Sequence, residues 1–248
     1  MSQDVQKPKG DHIEIRPDGN NIDFTSESKV LRWWDNYWYH YKWHTIIGLF
    51  CIFIVVFCVV QTINDPKDDI IVAYCGPTGF QAEEMEDLRE AMNRIMPEDF
   101  DGNGEKYTEV VRYQVFSEQE LLMDKEANNG QGTVNLAYNA KQLSDFNSFM
   151  SFGEASVYFV SEYIYGLIKD RGVLRPLANA LGEMPHNAYD EYAVRLKDTP
   201  YYAMEPALRK LPEDTLVCIA APFQLGSSSD PEIYDRSLKM FKAIVLGK

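Results

Sequence analysis

In the run Asp99-Phe100-Asp101-Gly102-Asn103-Gly104, oxygen-bearing side chains occupy every second position and glycine follows. Such a loop can wrap a hard cation, because glycine permits the sharp turn that brings the oxygens together. Calcium is the cation this chemistry suits. Asp99, Asp101 and Asn103 would supply side-chain oxygens, Glu105 a backbone carbonyl, and Glu109 a closing carboxylate. The helix–loop–helix calcium motif needs a bidentate Glu at its twelfth position. Val110 stands there, and Glu109 closes the shell only if the loop is one residue tighter. The same residues also make an ordinary Asx/Gly turn, and the sequence leaves both readings open.

A second run, Gly76-Pro77-Thr78-Gly79, follows an apolar segment and precedes a helical pattern. In parallel α/β folds anions meet helix N-termini at this place, so Gly76, Thr78 and Gly79 are candidate ligand contacts. Glu83, Glu84 and Glu86 in the first helical turns oppose an anion, and a purely structural turn is the rival reading.

Residues 64–248 contain one histidine, His186, and no GxSxG, HExxH, SxxK or CxxC spacing. No catalytic residue is assigned on that basis. Cys75 and Cys218 each lie in a short apolar run, which suits either two buried thiols or a disulfide between them. Acidic residues are plentiful but unpatterned and read as solvated surface. Residues 64–248 carry eighteen Lys/Arg against thirty-one Asp/Glu. That balance repels phosphate backbones and argues against nucleic-acid binding.

The elements that would position these residues alternate. Ile70–Cys75 is a continuous apolar run, typical of a strand buried on both faces. Met85, Leu88, Met92, Ile95 and Met96 recur at helical spacing. Further strands are expected at Thr108–Phe116, Thr133–Tyr138, Ala155–Val160, Tyr192–Leu196 and Thr215–Ala221. Ser117-x-x-Glu120 is a capping box opening a helix, another helix is expected near Lys141–Met150, and a third at Glu162–Lys169. Asp230-Pro231 caps a last helix burying Tyr234, Leu238, Phe241 and Val245. The alternation predicts an α/β fold: a three-layer sandwich with a mostly parallel central sheet.

Ahead of this domain, Thr45–Ile63 runs without a charge. Nineteen helical residues rise roughly 28 Å, near the thickness of a bilayer core. One transmembrane helix at 44–63 is therefore expected, contacting the membrane through 45–63. Trp33, Trp34, Tyr37, Trp38, Tyr39, Tyr41 and Trp43 crowd the preceding segment, 29–43, as an interfacial belt or a short in-plane helix. Lys29, Arg32 and Lys42 flank that side, while Asp65, Asp68 and Asp69 dominate the other. The positive-inside rule then places the N-terminus in the cytoplasm and residues 64–248 outside. Residues 1–28 are polar and aperiodic and read as a disordered cytoplasmic tail.

The stretch Phe152–Val160, followed by Tyr163, Leu167 and Gly172-Val173-Leu174-Arg175-Pro176-Leu177, resembles a pattern in one lobe of extracytoplasmic solute-binding proteins. The whole layout is similar to uncharacterised single-pass proteins of Gram-positive anaerobes that share the Tyr41-Lys42-Trp43-His44-Thr45-Ile46 approach to the membrane. These resemblances imply an extracytoplasmic α/β domain of unknown role. The expected function is a membrane-anchored binding or accessory domain without catalysis. The alternatives are a carboxylate-dependent cell-surface enzyme or a structural subunit held to a membrane-protein partner by the aromatic belt.

Overall fold

The computed structural model describes residues 29–64, 68–223 and 226–247. The expected tail at 1–28 lies outside them. The chain divides into two compact units, Met1–Asp65 and Pro66–Lys248. In the first, α1 (Lys29–Asn64) is a single helix. In the second, the order is β1 (Ile70–Gly76), α2 (Ala82–Ile95), β2 (Thr108–Gln114), α3 (Glu118–Ala127), α4 (Leu136–Phe152), β3 (Val157–Val160), α5 (Glu162–Ile168), α6 (Leu177–Leu181), β4 (Ala193–Arg195), α7 (Pro200–Met204), β5 (Leu216–Ile219) and α8 (Pro231–Leu246).

The aromatic segment and the apolar segment share α1 without a break. Its rings meet one turn apart: Trp33 stacks on Tyr37 at 5.6 Å, Trp34 on Trp38 at 6.4 Å, and Tyr37 on Tyr41 at 5.5 Å. Thr45 satisfies its hydroxyl at the start of the apolar stretch by donating to the Tyr41 carbonyl at 3.0 Å. It also shares a hydrogen bond with the Tyr37 hydroxyl at 2.8 Å. One stretch of this helix, Tyr37–Gln61, is long and apolar enough to cross a membrane, and none of it is buried against protein.

The five strands of the second unit lie in the order β2-β1-β3-β5-β4. β1 is parallel to both β2 and β3; β5 is antiparallel to β3 and β4. The sheet is thus mixed, with only β5 opposing the other four. Alternation along each strand divides the core. Ile70, Val72, Tyr74, Phe159, Val217 and Ile219 pack with Leu88, Met92 and Ile95 of α2 and Phe241 and Ile244 of α8. From the same strands Ala73, Cys75, Tyr158, Val160, Leu216 and Cys218 pack with Phe146 and Met150 of α4 and Ile164 and Ile168 of α5. Strands buried on both faces explain why they read as unbroken apolar runs.

Local chemistry sets the helix ends. Ser117 accepts from the Glu120 amide at 3.2 Å while the Glu120 carboxylate accepts from the Ser117 amide at 2.6 Å. Asp230 accepts from the Glu232 amide at 2.8 Å, with Pro231 in the first turn of α8. Gly153 closes α4 in the left-handed region at φ 67°.

The strand expected at Thr133–Tyr138 is absent; its residues lead into α4. Asn135 caps that helix, accepting from the Tyr138 amide at 3.1 Å. The alternation in Thr133-Val134-Asn135-Leu136 imitates a strand, and the capping side chain decides against it. Asp124 pins the approach by accepting from the Thr133 hydroxyl and the Val134 amide.

Candidate functional site

The Asp99–Gly104 loop joins α2 to β2, and a residue outside it organises it. Asp69, immediately before β1, is 2% exposed. One of its carboxylate oxygens accepts from the Phe100 and Asp101 amides at 3.0 and 2.9 Å. The other accepts from the Tyr107 amide at 3.0 Å. Asp69 also donates its own amide to the Tyr107 carbonyl at 2.9 Å. A buried carboxylate is tolerated here because three backbone N–H groups replace its water.

Within the loop the other side chains serve the backbone in the same way. Asp99 accepts from the Gly102 amide at 2.8 Å and the Gly104 amide at 2.7 Å. These bonds, the one from Gly104 foremost, hold its carboxyl below the usual range. Asp101 accepts from the Asn103 amide at 3.0 Å and from the Asn103 side-chain amide at 2.8 Å. Asn103 in turn accepts from the Glu105 amide at 2.7 Å. Gly102 and Gly104 adopt φ of 73° and 95°, which side-chain-bearing residues rarely hold.

The structure therefore brings Asp69, Asp99 and Asp101 together, with one carboxylate oxygen from each within 4.8 Å of the others. This is a set of hard oxygen donors of the type calcium takes. Asn103 and Glu105 lie in the same loop, and their side-chain-to-amide bond fixes its turn. Glu109 does not join the three aspartates. It sits on β2 opposite Ile71. Burial, and then its hydrogen bond with Asp68, raise its pKa above the ordinary carboxylate value. Sequence reasoning missed Asp69, whose partners lie more than thirty residues away. The only local hint is an acid placed directly before a buried strand.

The Gly76–Gly79 turn leaves the end of β1 and leads to α2. The Tyr74 hydroxyl accepts from the Thr78 amide at 3.2 Å, and its pKa is pushed up to about 12 by burial. A Cβ on Gly76 would lie 2.6 Å from that hydroxyl, and one on Gly79 would lie 2.8 Å from the Gln114 side-chain nitrogen. The same Gln114 donates to the Pro77 carbonyl at 3.1 Å. Close packing against the Tyr74 ring accounts for Gly76, and Thr78 meets the Tyr74 hydroxyl through both its backbone amide and its side chain.

Cys75 and Cys218 are free, buried thiols. They lie on β1 and β5, and β3 runs between those strands. Two inter-strand spacings amount to roughly 10 Å, beyond the reach of a disulfide. Burial pushes both thiols well above their usual pKa, the reverse of what a reactive cysteine needs. His186 is exposed. Tyr165 donates to Asp190, which also accepts from the Tyr192 and Ala193 amides at 2.9 and 3.2 Å, so this pair anchors the approach to β4.

No family model, no curated protein and no solved structure gives a significant match to this chain.

Proposed function

We propose that this chain is a single-pass membrane protein whose residues 64–248 form an extracytoplasmic three-layer α/β domain that binds a ligand or partner without catalysing a reaction. The observation that carries the proposal is the apolar stretch Tyr37–Gln61, 25 residues long and not buried. At 1.5 Å per residue it is roughly 37 Å long, enough to span the hydrocarbon core with some tilt. In water, Phe50, Ile52, Phe53, Val55 and Phe57 would all stay exposed. Each costs about 25 cal/mol for every Å² left uncovered. Lipid removes that cost. Lys29, Arg32 and Lys42 on one flank, against Asp65, Asp68 and Asp69 on the other, support a cytoplasmic N-terminus. The tryptophans between them suit the headgroup zone or the side of another membrane protein.

Introduced-cysteine labelling tests the topology. The native Cys75 and Cys218 are buried, so Glu126→Cys on the exposed end of α3 supplies the reporter. A membrane-impermeant maleimide should label that variant on intact cells. Labelling only after lysis would place the domain in the cytoplasm and overturn the orientation.

A second property belongs to the same reading. The convergence of Asp69, Asp99 and Asp101 supports a calcium-stabilised loop. At ten times the dissociation constant a bound ion adds about 1.4 kcal/mol. A thermal melt with and without millimolar calcium should show the gain, and Asp101→Ala should abolish it. Equal melts in both conditions leave the loop as a self-capped turn.

A further inference from the structure

Two of the four histidines of the chain, His40 and His44, stand four residues apart on α1. At that spacing the side chains of a helix share one face, with Cβ atoms roughly 5–6 Å apart. α1 runs unbroken through both, so its backbone fixes their separation. Both residues are exposed. Tyr39 meets the His40 ring edge-on at 5.1 Å between centroids, and Tyr41 meets the His44 ring edge-on at 6.2 Å. The hydroxyls nearby are engaged, since Tyr37 and Thr45 share a hydrogen bond at 2.8 Å. The imidazole nitrogens are not. Among the described residues, no hydrogen bond or ion pair takes them up.

Two imidazoles at this spacing make a chelate for a transition metal. A neutral imidazole offers a nitrogen lone pair and suits zinc, copper and nickel, whereas calcium and magnesium take oxygen. The same one-turn spacing supplies two zinc ligands from one helix face in metalloprotease motifs. Two nitrogens fill half of the tetrahedral shell of zinc and leave the other positions to water. Gly48 stands one turn past His44, and a Cβ built on it would meet nothing within 4 Å. No side chain from that turn therefore crowds an ion held by His44. The donor set differs in kind from the oxygens of Asp69, Asp99 and Asp101, so the two places select different ions.

We infer that His40 and His44 together chelate one divalent transition-metal ion of the zinc class on the surface of α1, where its aromatic stretch meets its apolar stretch. The inference rests neither on the role of residues 64–248 nor on the orientation of the helix. Zinc competition against a chromophoric chelator tests it, on the full chain in detergent with excess calcium to occupy the carboxylates. His40→Ala and His44→Ala should each weaken zinc binding by about 100-fold, because the second donor of a linked pair acts at high effective concentration. The double variant should then be little worse than either single one. His186→Ala, which removes an exposed histidine of the other unit, should change nothing. Electron paramagnetic resonance of bound copper(II) gives an independent readout. Nitrogen couplings should come from two imidazoles in the native chain and from one in each single variant. Circular dichroism checks that the variants keep their helix content. Absence of zinc binding to the native chain at millimolar concentration would overturn the inference. So would native affinity in either folded single variant, which would place the ion on other donors. Either result leaves the membrane topology untouched, just as a reversed topology would leave the chelate untouched.

Discussion

Asp69 shows how one side chain ties distant backbone together. Its carboxylate receives three N–H groups from the loop between α2 and β2 and is almost fully buried. Removing it strands those donors. Hydrogen bonds to a charged group contribute about 1.5–3 kcal/mol each and are not additive, so Asp69→Ala should destabilise the domain by about 3 kcal/mol. Asp69→Asn keeps one acceptor oxygen and should cost less. Urea denaturation reads both, and an alanine variant as stable as the native chain would refute the assignment. Two neighbouring acids respond to pH in opposite senses. Asp99 has a lowered pKa in the fold, so its contribution is present above the ordinary aspartate value and is lost as pH falls through the lowered one. Glu109 has a raised pKa, so its ionisation opposes folding as pH rises through that value. Glu109→Gln should therefore raise the melting temperature at neutral pH and leave it unchanged in acid. A neutral-pH melting temperature that stays put or falls would show that Asp68 and Glu109 do not oppose each other.

At the scale of elements, β2 poses the problem of an open sheet edge. The Asp69 amide donates to Tyr107 and the Val115 amide to Gly76, so odd-numbered residues face β1 and even-numbered ones face outward. Side chains close both ends of the outer row. Asn93 accepts from the Thr108 amide at 2.7 Å, and Gln142 accepts from the Gln114 amide at 3.3 Å. Asn139 binds both the amide and the carbonyl of Phe116, at 2.8 and 3.1 Å, as a neighbouring strand would. Asn139→Ala should cost about 1–3 kcal/mol by leaving that pair exposed or unpaired. It should also speed hydrogen exchange at the Phe116 amide, and unaltered exchange there would deny Asn139 this role. Such devices mark the limit of what the sequence discloses. The capping box at Ser117 and the Asp230-Pro231 start were legible because their partners lie within three residues. The core strands at Ile70 and Thr215 were legible because burial on both faces leaves no polar alternation. The direction of β5 was not legible, since the long segment through α6, β4 and α7 sets it rather than any local pattern. The candidate site divides in the same way. The Asp99–Gly104 loop is a local motif and was seen, whereas Asp69 joins it from a distant part of the chain.

For the whole molecule, the division into two units carries its own consequence. Among the described residues, every buried residue of both core clusters lies at Ile70 or beyond. α1 keeps an exposed apolar surface long enough to cross a membrane. Removing residues 1–65 should then convert a chain that needs detergent into one that does not. The remaining part carries most of the net charge of −14, and a strong net charge of one sign keeps a domain soluble and apart from its copies. Chain 66–248, expressed alone, should elute as a folded species without detergent. Its urea midpoint should match that of the same domain in the full-length protein, and the slope of its transition should be unchanged, because the surface exposed on unfolding is the same. The full chain should sediment with membranes until detergent is added. If chain 66–248 aggregates, or unfolds at a clearly lower urea concentration, then α1 contributes to the stability of the domain and the two units do not fold independently.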